Sequence, residues 1–302
     1  MATRNLHVIK NRWIFLGLSS AVILISIISV GVFGFRQGID FTGGSLWQFK
    51  VQDSSDLVKI ESVLKEDLSI SDVHLTYIGS DQSILARLPV IDQPTHDKGL
   101  TLLKSALPGF VELSFQSIGP SVGAELKKNA MLAVVFVLLG ISLYIAFAFR
   151  KVSRPISSWK YGVVTLVTLF HDVIVPAGLL AFLGYSQGVE IDSNFIVALL
   201  VIAGFSVHDT IVVFDRIREN LILNRGKSDF AEIINDSVNQ TMVRSVYTSL
   251  TLIFVLITLL FLGPATLHYF IATLLIGTII GIYSSVFVAS PLLLVWHRWS
   301  HR

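Results

Sequence analysis

The chain has 302 residues, of which 53% are hydrophobic and only 15% charged, with a mean hydropathy of +0.70. That composition excludes a disordered chain and argues for a protein that crosses a membrane several times. The net charge of +2 is too small to define a partner, and the absence of cysteine removes disulfides and thiolate metal sites.

A transmembrane helix needs about 20 mostly apolar residues to cross ~30 Å of hydrocarbon. The first candidate, 13–34, follows a basic N-terminal segment, 1–12, that carries Arg4, Lys10 and Arg12. Its apolar run exceeds the ~7–15 residues of a signal-peptide core and lacks a small-x-small cleavage site, so it reads as an uncleaved anchor.

Residues 35–128 are polar and long enough for one small domain, with twelve acidic side chains against nine basic ones. That balance argues against a nucleic-acid surface or an anionic-lipid surface. Alternation predicts strands at 45–51, 73–79, 83–90 and 109–119. Helices are expected at 54–68, capped by Ser54 or Ser55, and at 93–107, and a tight turn at 80–82. The apolar stripe of the first of these helices is Leu57, Ile60, Val63, Leu64 and Leu68. The order β-α-β-β-α-β predicts a ferredoxin-like split unit, an architecture that specifies no chemistry by itself. His74 and His96 have no partner at ligand spacing and read as ordinary surface or structural residues.

Two glycine-rich segments flank this domain and are expected to act as hinges. The first contains Gly38, Asp40, Gly43 and Gly44, and the second Gly119 and Pro120. Gly43-Gly44 resembles the opening of a phosphate-binding turn, but no GKS/T follows and a strand comes next. A tight turn where the chain leaves the membrane is the simpler reading.

Five further spans follow, at 129–149, 161–183, 193–214, 242–262 and 269–296. The connecting segments 150–160 and 215–241 and the C-terminus 297–302 hold Arg150, Lys151, Arg154, Lys160, Arg216, Arg218, Arg225, Lys227, Arg298 and Arg302. The short loops 185–191 and 264–268 hold no Lys or Arg. The positive-inside pattern predicts both termini in the cytoplasm and 35–128 on the outer side. Asp215, Arg216 and Arg218 fall near the interface, where snorkelling accounts for them.

Inside the spans the sequence becomes more specific. "LFHDVIVPAG" places His171 and Asp172 about 15–17 Å deep, counting at 1.5 Å per residue from Tyr161. "HDTIVVFDRIREN" places His208 and Asp209 in span four, with Asp209 ~8 Å below the cytoplasmic boundary. Arg244 enters span five to a similar depth, ~6 Å. An ionised aspartate in hydrocarbon costs at least ~2.5–3.5 kcal/mol, so such residues are functional candidates by default. Antiparallel spans four and five predict an Asp209–Arg244 pair that a proton would release. A buried pair that only fixes helix register is the competing reading. Adjacent residues on a helix point ~100° apart, so each His-Asp pair offers at most one good ligand to a metal. Ser206, Ser245, Ser249, Ser284 and the G-x-x-x-G of Gly277 and Gly281 read as close-packing positions.

Four segments in order carry a resemblance: "GIDFTGGS" at 38–45, "SIGPSVGAEL" at 117–126, "HDTIVVFDRIREN" at 208–220 and "NQTMVRSVYTSL" at 239–250. Together they resemble the SecF side of the SecD/SecF family of bacterial protein-export membrane subunits. The resemblance covers nearly the whole chain. It implies an α-helical polytopic fold, one six-span half of a resistance-nodulation-division-like unit, with the α+β domain inserted on the outer side. It also implies residence in the bacterial inner membrane and partnership with SecD and the SecYEG translocon, with YajC and YidC as further candidates. The implied task is to use the proton motive force to promote preprotein translocation and release. The family's fourth-span acid falls on Asp209 and its fifth-span arginine on Arg244, while His208 stands where relatives often carry Asn. The resemblance implies no cofactor. The coupling ion is the proton, with Na⁺ as the alternative.

Two other classes fit parts of the sequence. One is a half-unit of a lipid or small-molecule exporter, although such proteins usually have about twelve spans. The other is a passive scaffold. An enzyme has little support, because no nucleophile–base pair, nucleotide loop or metal motif emerges.

Overall fold

The computed structural model describes residues 7–51, 56–78, 83–150, 156–224 and 228–299. The expected caps Ser54 and Ser55, the turn at 80–82, and Arg4, Lys151, Arg154, Arg225, Lys227 and Arg302 lie outside them. In chain order the described elements begin with α1 (Arg12–Phe33), α2 (Ile39–Thr42), β1 (Gly44–Lys50), α3 (Asp56–Ser62), β2 (His74–Ile78) and β3 (Ser83–Leu88). They continue with α4 (Gln93–Ala106), β4 (Val111–Ile118), α5 (Pro120–Ala148), α6 (Ser158–Gln187), α7 (Ser193–Asn224), α8 (Phe230–Leu262), α9 (His268–Ser284) and α10 (Ser290–Trp299). The chain divides into two units. One is a helical unit of Met1–Arg36, Leu132–Val189 and Asn194–Arg302, the other a sheet unit of Gln37–Met131 and Glu190–Ser193.

The sheet unit is one four-stranded antiparallel sheet of order β2-β3-β1-β4. Each of its two β-α-β crossovers skips over one strand, which is the split pattern expected from the sequence. Central β1 buries Trp47 and Phe49, which pack with Ile60, Leu64, Ile84 and Leu103. Gly99 lets α4 approach this core, since a Cβ there would come within 2.7 Å of Leu68 and 3.0 Å of Trp47. The stripe of α3 continues through a widened π-turn at Val63–Asp67, which the chain leaves at Ser69 with φ 55°. His96 is buried, with Nε2 2.6 Å from Glu112, which also accepts the Trp47 indole N–H. That is a structural role, as expected.

The helical unit contains six runs long and apolar enough to cross a membrane, the last made of α9 and α10 joined by a π-turn at Ser285–Ala289. Its packing inverts the soluble pattern. On α1 the buried residues are Ser19, Ser26 and Ser29, while Ile25, Ile28 and Val32 are exposed. Small polar residues let backbones meet where lipid supplies no hydrophobic drive between helices. Ser29 donates to the Gly178 carbonyl at 2.7 Å, and a Cβ on Gly178 would sit 2.6 Å from Ser26 Cα.

The helices overrun the expected spans. Most of 215–241, read as a loop, is helical, because α7 extends to Asn224 and α8 starts at Phe230. Hydropathy marks the hydrocarbon boundary and not the helix end. Val213, Phe214, Ile217, Phe230, Ile234 and Val238 continue an apolar stripe, and Asn220 donates to Ser237 at 2.8 Å.

Candidate functional site: two buried acids in a seam of hydroxyls

Asp172 lies midway along α6 and is fully buried, as is His171. The His171 Nδ1 lies 2.8 Å from Asp172 Oδ1, so these neighbours do not diverge as the ~100° helical step implied. Their side chains bend together into one unit. The second carboxylate oxygen of Asp172 accepts hydroxyls from Ser206 on α7 and from Ser284 on α9, the latter at 2.7 Å. Three spans therefore converge on one carboxylate. Pro176, four residues on in α6, has no N–H to offer the Asp172 carbonyl, which leaves a further acceptor in the same place.

The G-x-x-x-G makes this convergence possible. A Cβ on Gly277 would lie 2.2 Å from Ile202 Cδ1, and one on Gly281 3.1 Å from Ser206 Cβ. With glycine there, α9 approaches α7 closely enough for Ser284 and Ser206 to share Asp172, and for Thr210 and Ser285 to meet at 3.2 Å.

Asp209 follows Ser206 by three residues on α7, which puts both on one side of the helix. It is buried and accepts the Ser249 hydroxyl of α8 at 3.1 Å. Ser245, one turn earlier on that face of α8, is buried beside the same carboxylate. Two hydrogen-bonded groups, Ser284–Asp172–Ser206 and Asp209–Ser249, thus adjoin along one turn of α7 and draw on spans three to six, and this seam holds both acids.

The expected Asp209–Arg244 ion pair is absent among the described residues. Equal depth places two residues at one level but does not turn them toward each other. On α8 the residues turned inward are Ser245 and Ser249, and Arg244 lies ~100° round the helix on an exposed face. His208 is likewise exposed, outside the seam.

The expected hinge residues Gly38, Gly43 and Gly44 are closely packed, whereas a Cβ on Gly119 would meet open space. Gly38 donates its N–H to the Ile191 carbonyl at 2.9 Å, and Asp40 accepts the Ser193 N–H at 2.8 Å. Gly43 adopts φ 75° beside Pro120, where a Cβ would approach Pro120 Cα to 2.8 Å. Gly44, at φ 132°, opens β1, while Gly119 precedes Pro120, the first residue of α5.

Sequence reasoning took Ser206, Ser249 and Ser284 only as small packing residues. Their hydroxyls are what the acids bind. The available signal was their recurrence on the acid-bearing spans.

Among the described residues no group of three His, Cys, Asp or Glu is placed to hold a metal ion. The seam brings together carboxylates, an imidazole and hydroxyls, groups that are able to donate and accept protons.

Similarity to known proteins shows the family of the chain. The family model for the C-terminal part of the protein export membrane proteins SecD/SecF matches residues 100–299, and the SecD/SecF GG motif matches 28–54. The protein translocase subunit SecF of Thermobaculum terrenum is 41% identical, with 97% of this chain and 94% of that protein covered. The corresponding subunit of Anaerolinea thermophila is 37% identical, with 98% and 96% covered. The crystal structure of SecDF, a translocon-associated membrane protein from Thermus thermophilus, superposes with a TM-score of 0.82 at 31% identity. All of this chain is covered, and it spans 40% of that SecDF chain. These relatives are named as translocase subunits or as a translocon-associated protein, which supports protein export over the lipid or small-molecule exporter. With the family models matched over most of the chain and its relatives aligned nearly end to end, the chain belongs to the SecD/SecF family of protein-export membrane proteins.

Proposed function

We propose that this chain is a multi-pass subunit of the bacterial Sec export machinery that works with SecD and turns proton movement into work on preproteins outside the membrane. Its termini lie in the cytoplasm and its sheet unit on the outer side of the inner membrane. SecYEG is the channel served, and YajC and YidC are further candidate partners. No covalent chemistry is assigned to the chain.

The observation that carries this reading is a pair of buried acids, Asp172 and Asp209, each accepting serine hydroxyls from neighbouring spans. A carboxylate only accepts hydrogen bonds, whereas a protonated carboxyl also donates one. Protonating Asp209 therefore turns one of its oxygens into a donor, and the hydroxyls of Ser249 and Ser245 on the facing helix can turn to accept it. Exchange of the proton re-sorts the contacts between α7 and α8, which gives a two-state element biased by a proton. Asp172 with His171 forms a second station, one turn along α7 through Ser206. Arg244 and His208 lie exposed outside the seam, and a homologous half covering them would bring them into the relay.

The test is export into inverted vesicles that hold SecD, with and without this chain, under an imposed pH gradient. The gradient is expected to accelerate export only when the chain is present. Equal acceleration without it would contradict the assignment.

A further inference from the structure

The loop between α6 and α7 belongs to the sheet unit, because Glu190–Ser193 cluster with Gln37–Met131. Gln37 and Ile191 form an isolated parallel bridge, and Gly38 donates to the Ile191 carbonyl. A Cβ on Gly38 would stand 3.1 Å from that carbonyl oxygen, so glycine permits the contact. The Asp40 carboxylate accepts the N–H of Ser193, the first residue of α7, where helix N–H groups otherwise lack partners. On β3, Arg87 is ion-paired with Glu190, and its Nη2 reaches the Gln37 carbonyl and the Thr42 hydroxyl, each at 3.2 Å. One strand residue thus binds both the segment leaving α1 and the loop entering α7.

The helix that begins at this point is the one that carries Asp209. It runs unbroken from Ser193, and Asp209 lies about 24 Å along it. An α-helix is stiff along its axis, so an axial shift at the acid arrives at Ser193 with little loss.

We propose that Asp40 and the Arg87–Glu190 pair form a clasp that fastens the start of α7 to the sheet unit and passes the displacement of α7 on proton exchange to that unit. Asp40, Arg87 and Glu190 are positioning residues in this scheme. The inference rests on the proton-driven reading above, and it gives the glycine-rich segment a role: rigid attachment, where flexibility was expected.

The test measures gradient-dependent export in vesicles containing SecD and the full chain. Arg87→Glu and Glu190→Arg should each lower the gradient-dependent increment at least fivefold, and the double charge exchange should recover at least half of it. Asp40→Asn retains a side-chain acceptor for the Ser193 N–H and should keep most of the increment, whereas Asp40→Ala should lose it at least threefold. Wild-type increments in the single reversals, or a double variant no better than either single, would overturn the clasp. Asp209→Asn in the same assay separates the two claims. If that variant exports as wild type, the proton reading fails and hydrogen exchange decides the clasp alone. Ser193 should then exchange at least tenfold faster in Asp40→Ala than in wild type, and equal exchange would overturn it.

Discussion

The Asp172 carboxylate shows how a single buried acid organises a membrane bundle. It collects Ser206 and Ser284 from two other spans and His171 from its own. Interhelical hydrogen bonds of this kind are worth about 0.6 kcal/mol on average and about 1.7 at most. Ser284→Ala should therefore destabilise the protein by roughly that amount, measured by reversible denaturation in lipid. Its effect on gradient-dependent export should be larger than so small a loss explains, because the proposed relay includes this hydroxyl. At this scale the sequence revealed which residues are ionisable and how deep they lie, since depth follows from counting along a helix. It did not reveal rotation. The Arg244 side chain shares a level with Asp209 and yet faces away, while Ser245 and Ser249 face inward. A one-residue change of phase separates the two outcomes, and hydropathy does not resolve it.

Elements behave more predictably where a local rule decides them. Asp92 caps α4 by accepting the Thr95 N–H at 3.1 Å, and the Thr95 hydroxyl together with that N–H holds its carboxyl below the ordinary value of 3.8. A depressed folded-state value means the cap's contribution is complete above the ordinary aspartate range and is lost as pH falls through the lower, folded-state value. The carboxyl should titrate below 3.8 by NMR, and Asp92→Asn should remove the pH dependence of amide protection in the first turn of α4. The strand order was legible because alternation and turn residues are local, and the two crossovers then follow from known handedness. The helix ends at Asn224 and Phe230 were not, because a helix continues past the lipid wherever its stripe still has something to pack on. The α7–α9 contact makes a stricter test. Gly277→Ala forces Ile202 to move, and overpacking of this type costs about 1–3 kcal/mol. Ile202→Ala in the same chain should relieve part of that cost, whereas additive losses in the double variant would place the strain elsewhere.

For the whole molecule, the exposed surface matters as much as the buried seam. Tyr144 of α5 and Val243 and Tyr247 of α8 are exposed, as is Arg244 among the last two. An arginine at membrane depth needs a protein or aqueous surface, and the SecDF chain of Thermus thermophilus is long enough to hold such a second half. Because the chain has no cysteine, Tyr247→Cys gives a single reactive site. It should cross-link to a cysteine-bearing SecD, while a cysteine replacing exposed Val58 in the sheet unit's α3 should not. The central claim is that Asp209 is the acid through which the proton gradient acts. Its most direct measurement is export into inverted vesicles under an imposed pH gradient, comparing wild type with Asp209→Asn at equal levels of chain and SecD. The account predicts that the substituted chain inserts and binds its partner but loses the gradient-dependent increment. Export of Asp209→Asn at the wild-type rate under the same gradient would show that the acid is structural and contradict the account.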